Sequence, residues 1–187
     1  MGGPCLADGG AIGKSTDNFS ICEFQIDGVT YYSAEHAYQA LKMKSKADAA
    51  KVAACVPKEG ESSWDYGMRV WNLGQRLTAK KNWDKIKVVM MYKANKAKLV
   101  QTPELAAELV ASSGVITHRG SGQFWDKWNP VLLMLIREEL KGAEGNPSTM
   151  DDLRKQMGLP PGGDDPSDAT APSDAVDLSE GDGSSPP

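Results

Sequence analysis

Glu35, Gln39 and Lys42 place a carboxylate, an amide and an amine within a short stretch of the chain. In a helix the spacing i, i+4 and i+7 puts all three side chains on one stripe. Such a set can hold a sugar through its hydroxyl groups and attack the anomeric carbon. The alternative interpretation is a solvated polar helix face, on which the three side chains share no chemistry.

A hairpin and a helix start must position this stripe. Two β-prone runs, residues 22–26 and 29–32, flank Asp27-Gly28, which is a strong signal for a two-residue hairpin loop. Ser33 then provides a suitable N-cap for the helix. The hairpin therefore leads directly into the helix, whose dipole stabilises a carboxylate in its first turn as an anion.

The remaining patterns predict a mostly helical α+β protein, with helices packed around a small sheet and an N-terminal β-hairpin. The expected helices cover residues 47–55, 64–77, 83–100, 102–113, 131–141 and 148–157, and a short β-type run covers 115–118. Thr102-Pro103 and Asn129-Pro130 are expected to start helices by the cap-then-proline rule. Ser148 is the expected cap of the last helix, and Gly158 its end.

An ordered series of motifs runs through residues 15–141. It comprises Asn18-Phe19, Asp27-Gly28, Ser33-x-Glu35-His36-Ala37-Tyr38-Gln39-Ala40-x-Lys42, Lys81-Asn82-Trp83, Met91 with Lys98-Leu99, Pro103-Glu104-Leu105, Phe124-Trp125 and Leu132-Leu133-Met134-x-x-Arg137-Glu138-x-Leu140. In this order the motifs resemble the NADAR (YbiA-like) family. The resemblance implies a YbiA-like fold and hydrolysis of N-glycosidic bonds in ribosylated amines.

Three functions are compatible with this resemblance. The first is a hydrolase that removes ADP-ribose from guanine bases of nucleic acid or nucleotide. The second is an N-glycosidase acting on a ribosylamino-pyrimidine phosphate intermediate of riboflavin biosynthesis. The third is a non-catalytic ADP-ribose or nucleotide-binding module, against which the presence of both Glu35 and Lys42 argues. None of the three requires a cofactor or a metal.

Glu35 and Lys42 are the expected catalytic residues, by two alternative routes. A carboxylate can stabilise the oxocarbenium character that develops on the ribose and activate water. Alternatively, a ribose joined through an exocyclic amine opens to an imine, and a lysine with a lowered pKa attacks it. The two side chains would lie roughly 10 Å apart along the helix axis, on opposite sides of one sugar.

Aromatic and basic residues supply the rest of the expected substrate site. Trp83 and Trp125 match family positions and are the expected platforms for a base, whereas Trp64, Trp71 and Trp128 are expected to pack in the core or at its rim. Arg76, with Lys80 and Lys81, is expected to hold a pyrophosphate, or else to be part of a solvated loop.

The loop after His118 offers a second phosphate contact through backbone N–H groups at Gly120, or else is an ordinary connection. Asp126 stands where the family usually has glycine, and Gly122 where many members carry an acid. Asn129-Pro130 replaces an Asn-x-x-Gly motif. The expected substrate-binding residues are therefore Asn18, Phe19, Gln39, Arg76, Trp83, His118, Gly120, Trp125, Asp126 and Asn129, with no metal ligand.

Charge and composition divide the 187-residue chain. Residues 160–187 contain seven acids and no Lys or Arg, so the rest of the chain carries +3 against a total net charge of −4. A mildly basic body suits a phosphate-bearing ligand. The expected organisation is a disordered N-terminal tail (1–15), a catalytic domain (16–141), a linker with one short helix (142–159) and a disordered acidic tail (160–187).

The cysteines and histidines suggest neither a disulfide framework nor a metal site. The three cysteines are an odd number without metal-like spacing. This argues against a disulfide framework and is typical of a protein in a reducing compartment. His36 diverges from Glu35 by about 100° around the helix, so it is expected to be a structural hydrogen-bonding residue. Without a signal sequence or a long apolar run, the chain is expected in the cytoplasm, with nuclear entry compatible with its size, and without a membrane partner.

Overall fold

The computed structural model describes residues 3–162. The strands are β1 (Cys5–Asp8), β2 (Gly10–Ile12), β3 (Phe24–Ile26), β4 (Val29–Tyr31) and β5 (Ser113–Thr117). The helices are α1 (Gly13–Thr16), α2 (Ala34–Lys42), α3 (Lys46–Ala53), α4 (Ser63–Gln75), α5 (Trp83–Gln101), α6 (Pro103–Ala111), α7 (Gln123–Leu140) and α8 (Pro147–Met157), with a 3-10 turn at Gly142–Glu144. The predicted mostly helical α+β class is confirmed.

Helix α2 lies at the centre of the helical layer. It packs against α3, α4 and α5, and residues 34–40 are all buried. One apolar cluster extends along α5, α6 and α7, and a second joins the β3–β4 hairpin to α2 and α3. A polar stripe on α2 therefore faces other protein elements rather than solvent.

The hairpin before α2 has the predicted form. β3 and β4 pair antiparallel with Phe24 opposite Tyr31. Asp27 and Gly28 both have positive φ, 52° and 76°, as a two-residue turn matched to strand twist requires. At the helix start the Ser33 hydroxyl accepts a hydrogen bond from the His36 backbone N–H at 3.1 Å. The predicted hairpin-to-helix unit is confirmed.

The N-terminal residues 3–15 are not a disordered tail. β1 is the middle strand of an antiparallel sheet of order β2-β1-β5, with Leu6 opposite Thr117. Cys5 is fully buried, and its N–H donates to the Thr16 hydroxyl at 2.8 Å. The expectation failed because the strand partner lies far away in sequence, where local composition gives no signal.

Helix α7 begins earlier than Asn129-Pro130 predicted. It runs unbroken from Gln123 to Leu140 with Pro130 inside it. Trp125, Asn129, Leu132 and Ile136 continue one buried face across the proline. The stabilisation from burying this face outweighs the loss of the one backbone hydrogen bond that a proline removes from a helix interior.

Helix α8 confirms the short helix expected in the linker, but its cap differs. The Asn146 side chain accepts from the Thr149 N–H at 3.1 Å, so Asn146 and not Ser148 is the N-cap. Gly158, with φ 71°, ends the helix as predicted.

The acidic tail expected over 160–187 falls, from residue 163 onward, outside the described residues. Within residues 3–162, no helix is both long enough and apolar enough to cross a lipid bilayer.

Candidate functional site

The predicted stripe on α2 is buried, so it is not a solvated polar face. Glu35 and Gln39 are almost completely inaccessible to solvent. The Gln39 amide Nε2 donates to Glu35 Oε1 at 2.7 Å. Lys42, one turn further along, is only partly buried, and its Nζ donates to the Gly74 carbonyl oxygen at 3.2 Å. The stripe therefore opens toward solvent at its lysine end.

Two glycines of α4 allow close packing beside this stripe. A Cβ at Gly74 would overlap the Gln39 side-chain amide, and a Cβ at Gly67 would overlap the Phe19 ring. The seven-residue spacing puts both glycines on one face of α4. This face fixes the distance between α4 and the residues of the stripe.

The electrostatics of the stripe favour a reactive amine. Burial lowers the pKa of the Lys42 amine from its usual value, while the Glu35 carboxylate acts in the opposite direction. A lowered pKa increases the neutral, nucleophilic fraction of a lysine at neutral pH. Because the two groups interact electrostatically, a change at Glu35 is expected to alter the basicity of Lys42.

Asn18 fixes the start of α2 through its backbone. Its carbonyl oxygen accepts from the Glu35 N–H at 2.9 Å, and its side-chain Oδ1 accepts from Asn95 Nδ2 at 2.9 Å. The structure therefore brings Asn18 next to Glu35, and its backbone carbonyl helps to position that residue, while its expected contact with substrate stays a prediction.

Lys98 is a positioning residue that sequence reasoning treated only as part of a motif. It is completely buried, and its Nζ donates to the Asp17 carbonyl oxygen at 3.2 Å. Burial lowers the pKa of its amine. Lys98 thereby holds the segment that carries Asn18 and Phe19.

Trp83 and Trp125 lie in the core instead of at an open surface. Their exposed fractions are 8% and 7%. The Tyr38 ring lies between them, with ring centroids 4.9 Å from Trp83 and 5.5 Å from Trp125. At this burial neither indole has a face open to a base, so the expected stacking role finds no support in the geometry.

The loop after His118 is closed by the carboxylate of Asp126. Asp126 Oδ1 accepts from the Ser121 N–H at 2.9 Å and lies 3.0 Å from His118 Nδ1. The Gly120 N–H points to Oδ2 at 3.4 Å. The Ser121 N–H in particular holds the pKa of Asp126 below its usual value. These N–H groups already have a protein acceptor, so the loop is not an open phosphate cradle.

Asn129 lies on the buried face of α7, one turn after the Asp126 cluster. Its Oδ1 is buried with no hydrogen-bond partner among the described residues. Trp125, which precedes both positions on α7, reaches α2 through Tyr38. The structure therefore connects the predicted α7 residues to α2 by the packing of Trp125 on Tyr38.

Arg76 belongs to a different surface of α4. It lines a cavity of about 580 Å³ together with Asp65, Met68, Arg69 and Asn72. A second cavity, of about 250 Å³, lies between α5, α7 and α8. Glu35, Gln39 and Lys42 line neither of these two cavities. The predicted pyrophosphate contact therefore does not lie on the side of α4 that faces the stripe.

The structural role predicted for His36 is confirmed. Its Nε2 lies 2.8 Å from the Val52 carbonyl oxygen, which requires the proton on that nitrogen, so Nδ1 accepts the Tyr32 N–H at 3.2 Å. Burial lowers the pKa of the imidazole. His36 thus joins the hairpin, α2 and α3 as a neutral side chain.

A solved structure supports the fold suggested by the motifs. The NMR structure of the E. coli protein YbiA superposes with a TM-score of 0.56 at 27% sequence identity, covering 68% of this chain and 77% of the bacterial protein. No protein-family model matches the chain, and no curated protein does. The chain therefore has a YbiA-like fold.

Proposed function

We propose that this protein is a hydrolase that cleaves the N-glycosidic bond between ribose C1 and an amine, and that it removes ADP-ribose from guanine bases of nucleic acid or nucleotide. One observation carries the proposal. A buried carboxylate and a partly exposed lysine of lowered pKa share one stripe of α2 and interact electrostatically. The YbiA-like fold is consistent with it.

The exposure of the two groups favours the imine route. Lys42 can be reached from solvent and its lowered pKa supplies a neutral amine. Glu35 has no exposed surface, so it is better placed to stabilise a positive charge on the sugar than to deliver bulk water. Lys42 is therefore the proposed nucleophile and Glu35 the electrostatic partner.

The proposed steps balance as a hydrolysis. The C1–O4′ bond breaks, O4′ takes a proton, and C1 forms an imine with the base nitrogen. The neutral Lys42 amine adds to C1, the base nitrogen takes a proton and leaves as the free amine, and C1 is now bonded to Lys42 as an imine. Water then adds to C1, Lys42 leaves, and the sugar aldehyde closes again.

The net charge of the chain outside the acidic segment supports a phosphate-bearing ribose. Residues 1–159 carry +3, and a positive surface raises the local concentration of anionic ligands. ADP-ribose carries a pyrophosphate, so the positive charge favours it as substrate over a ribose that carries a single phosphate.

Turnover by the full chain tests the proposal. ADP-ribosylated guanosine and a ribosylamino-pyrimidine phosphate are incubated separately, with and without borohydride. Release of free guanosine and a borohydride-trapped sugar on the wild-type protein, lost in Lys42→Ala, are expected. Lys46→Ala, an exposed lysine at the start of α3, is the matched control and should retain both signals.

Two results would contradict parts of this proposal. Base release that survives Lys42→Ala but disappears in Glu35→Gln would replace the imine route by direct activation of water. No base release from either substrate, by a protein that remains folded, would exclude the hydrolase.

A further inference from the structure

A short antiparallel bridge connects the lysine end of the stripe to the segment that follows α4. The Lys44 N–H donates to the Thr78 carbonyl oxygen at 2.9 Å, and the Lys80 N–H donates to the Lys42 carbonyl oxygen at 3.0 Å. Residues that lie opposite each other across such a bond have Cα atoms about 5.5 Å apart. The backbone therefore fixes Lys80 directly beside the proposed nucleophile.

The bridge also determines which side chains face outward. Met43 and Ala79 form the pair at its centre, and both contact the apolar core clusters. In extended backbone, successive side chains point to opposite faces, so Lys42, Lys44 and Lys80 leave the bridge on its other face. Lys44 is exposed and Lys80 is half-buried. Three amines are thus directed to one surface at the open end of the stripe.

The charges of Lys44 and Lys80 are not neutralised by the protein. Among residues 3–162, neither side chain forms an ion pair with a carboxylate. Several other lysines of the helices do form such pairs, namely Lys51, Lys87, Lys93, Lys96 and Lys141. The two cations beside Lys42 are therefore available to an anion from solvent.

The fold divides the basic stretch that was expected to bind a pyrophosphate. Arg76 lines the cavity on a different surface of α4, whereas Lys80 is bonded to the backbone of Lys42. Lys44 belongs to none of the sequence motifs, but the bridge places it on the same face as Lys80. The cations nearest to the nucleophile are therefore a pair that sequence spacing did not indicate.

We propose that Lys44 and Lys80 form an anion subsite for the phosphate on C5 of the substrate ribose, and that this subsite makes the protein selective for 5-phosphorylated ribosides. This inference rests on the proposed function, because it assigns the other end of the same sugar. C1 and the C5 phosphate lie at opposite ends of one pentose. Lys42 reaches the first while the two neighbouring amines bind the second.

Ribose 5-phosphate and ribose test the subsite without a leaving base. The open-chain aldehyde C1 of either sugar condenses with the Lys42 amine to an imine and releases water, and cyanoborohydride then delivers hydride to C1 to leave a stable secondary amine. Modification of each lysine in the full chain is measured by peptide mass spectrometry. The exposed Lys155 on α8 is the internal reference, because it corrects for the different intrinsic reactivities of the two sugars.

Relative to Lys155, Lys42 is expected to be modified faster by ribose 5-phosphate than by ribose. Lys44→Gln and Lys80→Gln should each lower this phosphate preference roughly 2- to 5-fold, the size of an exposed ion pair, and the double variant roughly 4- to 25-fold. The comparison of two sugars on the same protein cancels any change in the basicity of Lys42. Lys58→Gln, at an exposed lysine before α4, is the control and should keep the preference.

Several outcomes would overturn the subsite. One is equal modification of Lys42 by both sugars, after correction with the reference. Another is a phosphate preference that survives in the double variant, or one that is lost in Arg76→Gln instead. Calorimetric titration with ribose 5-phosphate makes the same comparison without the covalent step, and an unchanged affinity in the double variant would equally contradict the assignment.

Turnover separates failure of this inference from failure of the proposed function. Release of guanosine from ADP-ribosylated guanosine, by a protein whose double variant keeps its affinity for ribose 5-phosphate, would overturn the subsite and leave the hydrolase intact. A phosphate preference that is lost in the double variant, in a protein that releases no base, would support the subsite and exclude the hydrolase.

Discussion

At the scale of single residues, the environment of Lys42 matters more than its identity. Many lysines lie on the surface of this chain, but Lys42 has a pKa lowered by burial and a carboxylate partner that opposes this effect. The Gly74 carbonyl oxygen holds the amine in place. The reactivity of this lysine therefore depends on the neighbours that α2 and α4 supply.

The pH dependence of activity reports the state of this amine. The rate is expected to rise with pH as Lys42 loses its proton and then to reach a plateau. The midpoint of this rise gives an apparent pKa, which should lie below the ordinary lysine value of 10.5. Initial rates of base release between pH 6 and 10 measure this value.

A variant of Glu35 shows whether the two groups are coupled. The Glu35 carboxylate raises the pKa of Lys42, so Glu35→Gln should move the apparent kinetic pKa of the residual activity to lower pH. The exposed acid Glu59 provides a control, since Glu59→Gln should leave the profile in place. An unchanged profile in Glu35→Gln would contradict electrostatic coupling along the stripe.

At the scale of elements, the packing of α4 against α2 depends on particular residues of the α4 face as much as on those of the stripe. A glycine in an exposed helix interior usually gains about 1 kcal/mol of stability on replacement by alanine. At Gly74 the sign is reversed, because a Cβ would overlap the Gln39 side chain. The backbone contact between these helices therefore determines the amide position that supports Glu35.

Gly74→Ala tests this contact. Overpacking is expected to lower the free energy of unfolding by about 1–3 kcal/mol and to lower kcat by displacing Gln39. Urea unfolding and initial rates measure the two effects. Asn72→Ala, an exposed position of the same helix, should be near neutral in both, whereas an equally stable and active Gly74→Ala protein would show that α4 moves away freely.

Local signals explain which elements were predictable from sequence. The Asp27-Gly28 turn and the Ser33 cap determine their structure within a few residues, so the β3–β4 hairpin and α2 were predicted correctly. The start of α7 was predicted wrongly at Asn129-Pro130, because a buried helix face tolerates a proline that an isolated helix would not. Spacing alone put Glu35, Gln39 and Lys42 on one stripe, but it could not show that Trp83 and Trp125 are buried around Tyr38.

At the scale of the whole molecule, the N-terminal strands belong to the folded domain. Cys5 and Ile12 contribute buried side chains to the larger core cluster, and β1 lies between β2 and β5. β5 leads directly into the loop that Asp126 closes. The N-terminal residues therefore support both the core and the start of α7.

Removal of residues 1–12 should show this contribution. Losing the two buried side chains removes about 3 kcal/mol of hydrophobic stabilisation. This corresponds to a decrease in Tm of roughly 6–12 °C for a protein of this size. Thermal unfolding followed by circular dichroism measures it. Removal of residues 163–187 serves as the comparison, and an N-terminal truncation with the same Tm as the full chain would contradict a structural role for β1.

The central place of β1 also affects how the chain is made. Leu6 leaves the ribosome about 110 residues before its partner Thr117 in β5. At typical elongation rates of about 5–20 residues per second, β1 has only β2 beside it for several seconds before β5 emerges. The β1–β2 hairpin can thus form early, whereas the three-stranded sheet closes only when most of the helical layer has already emerged.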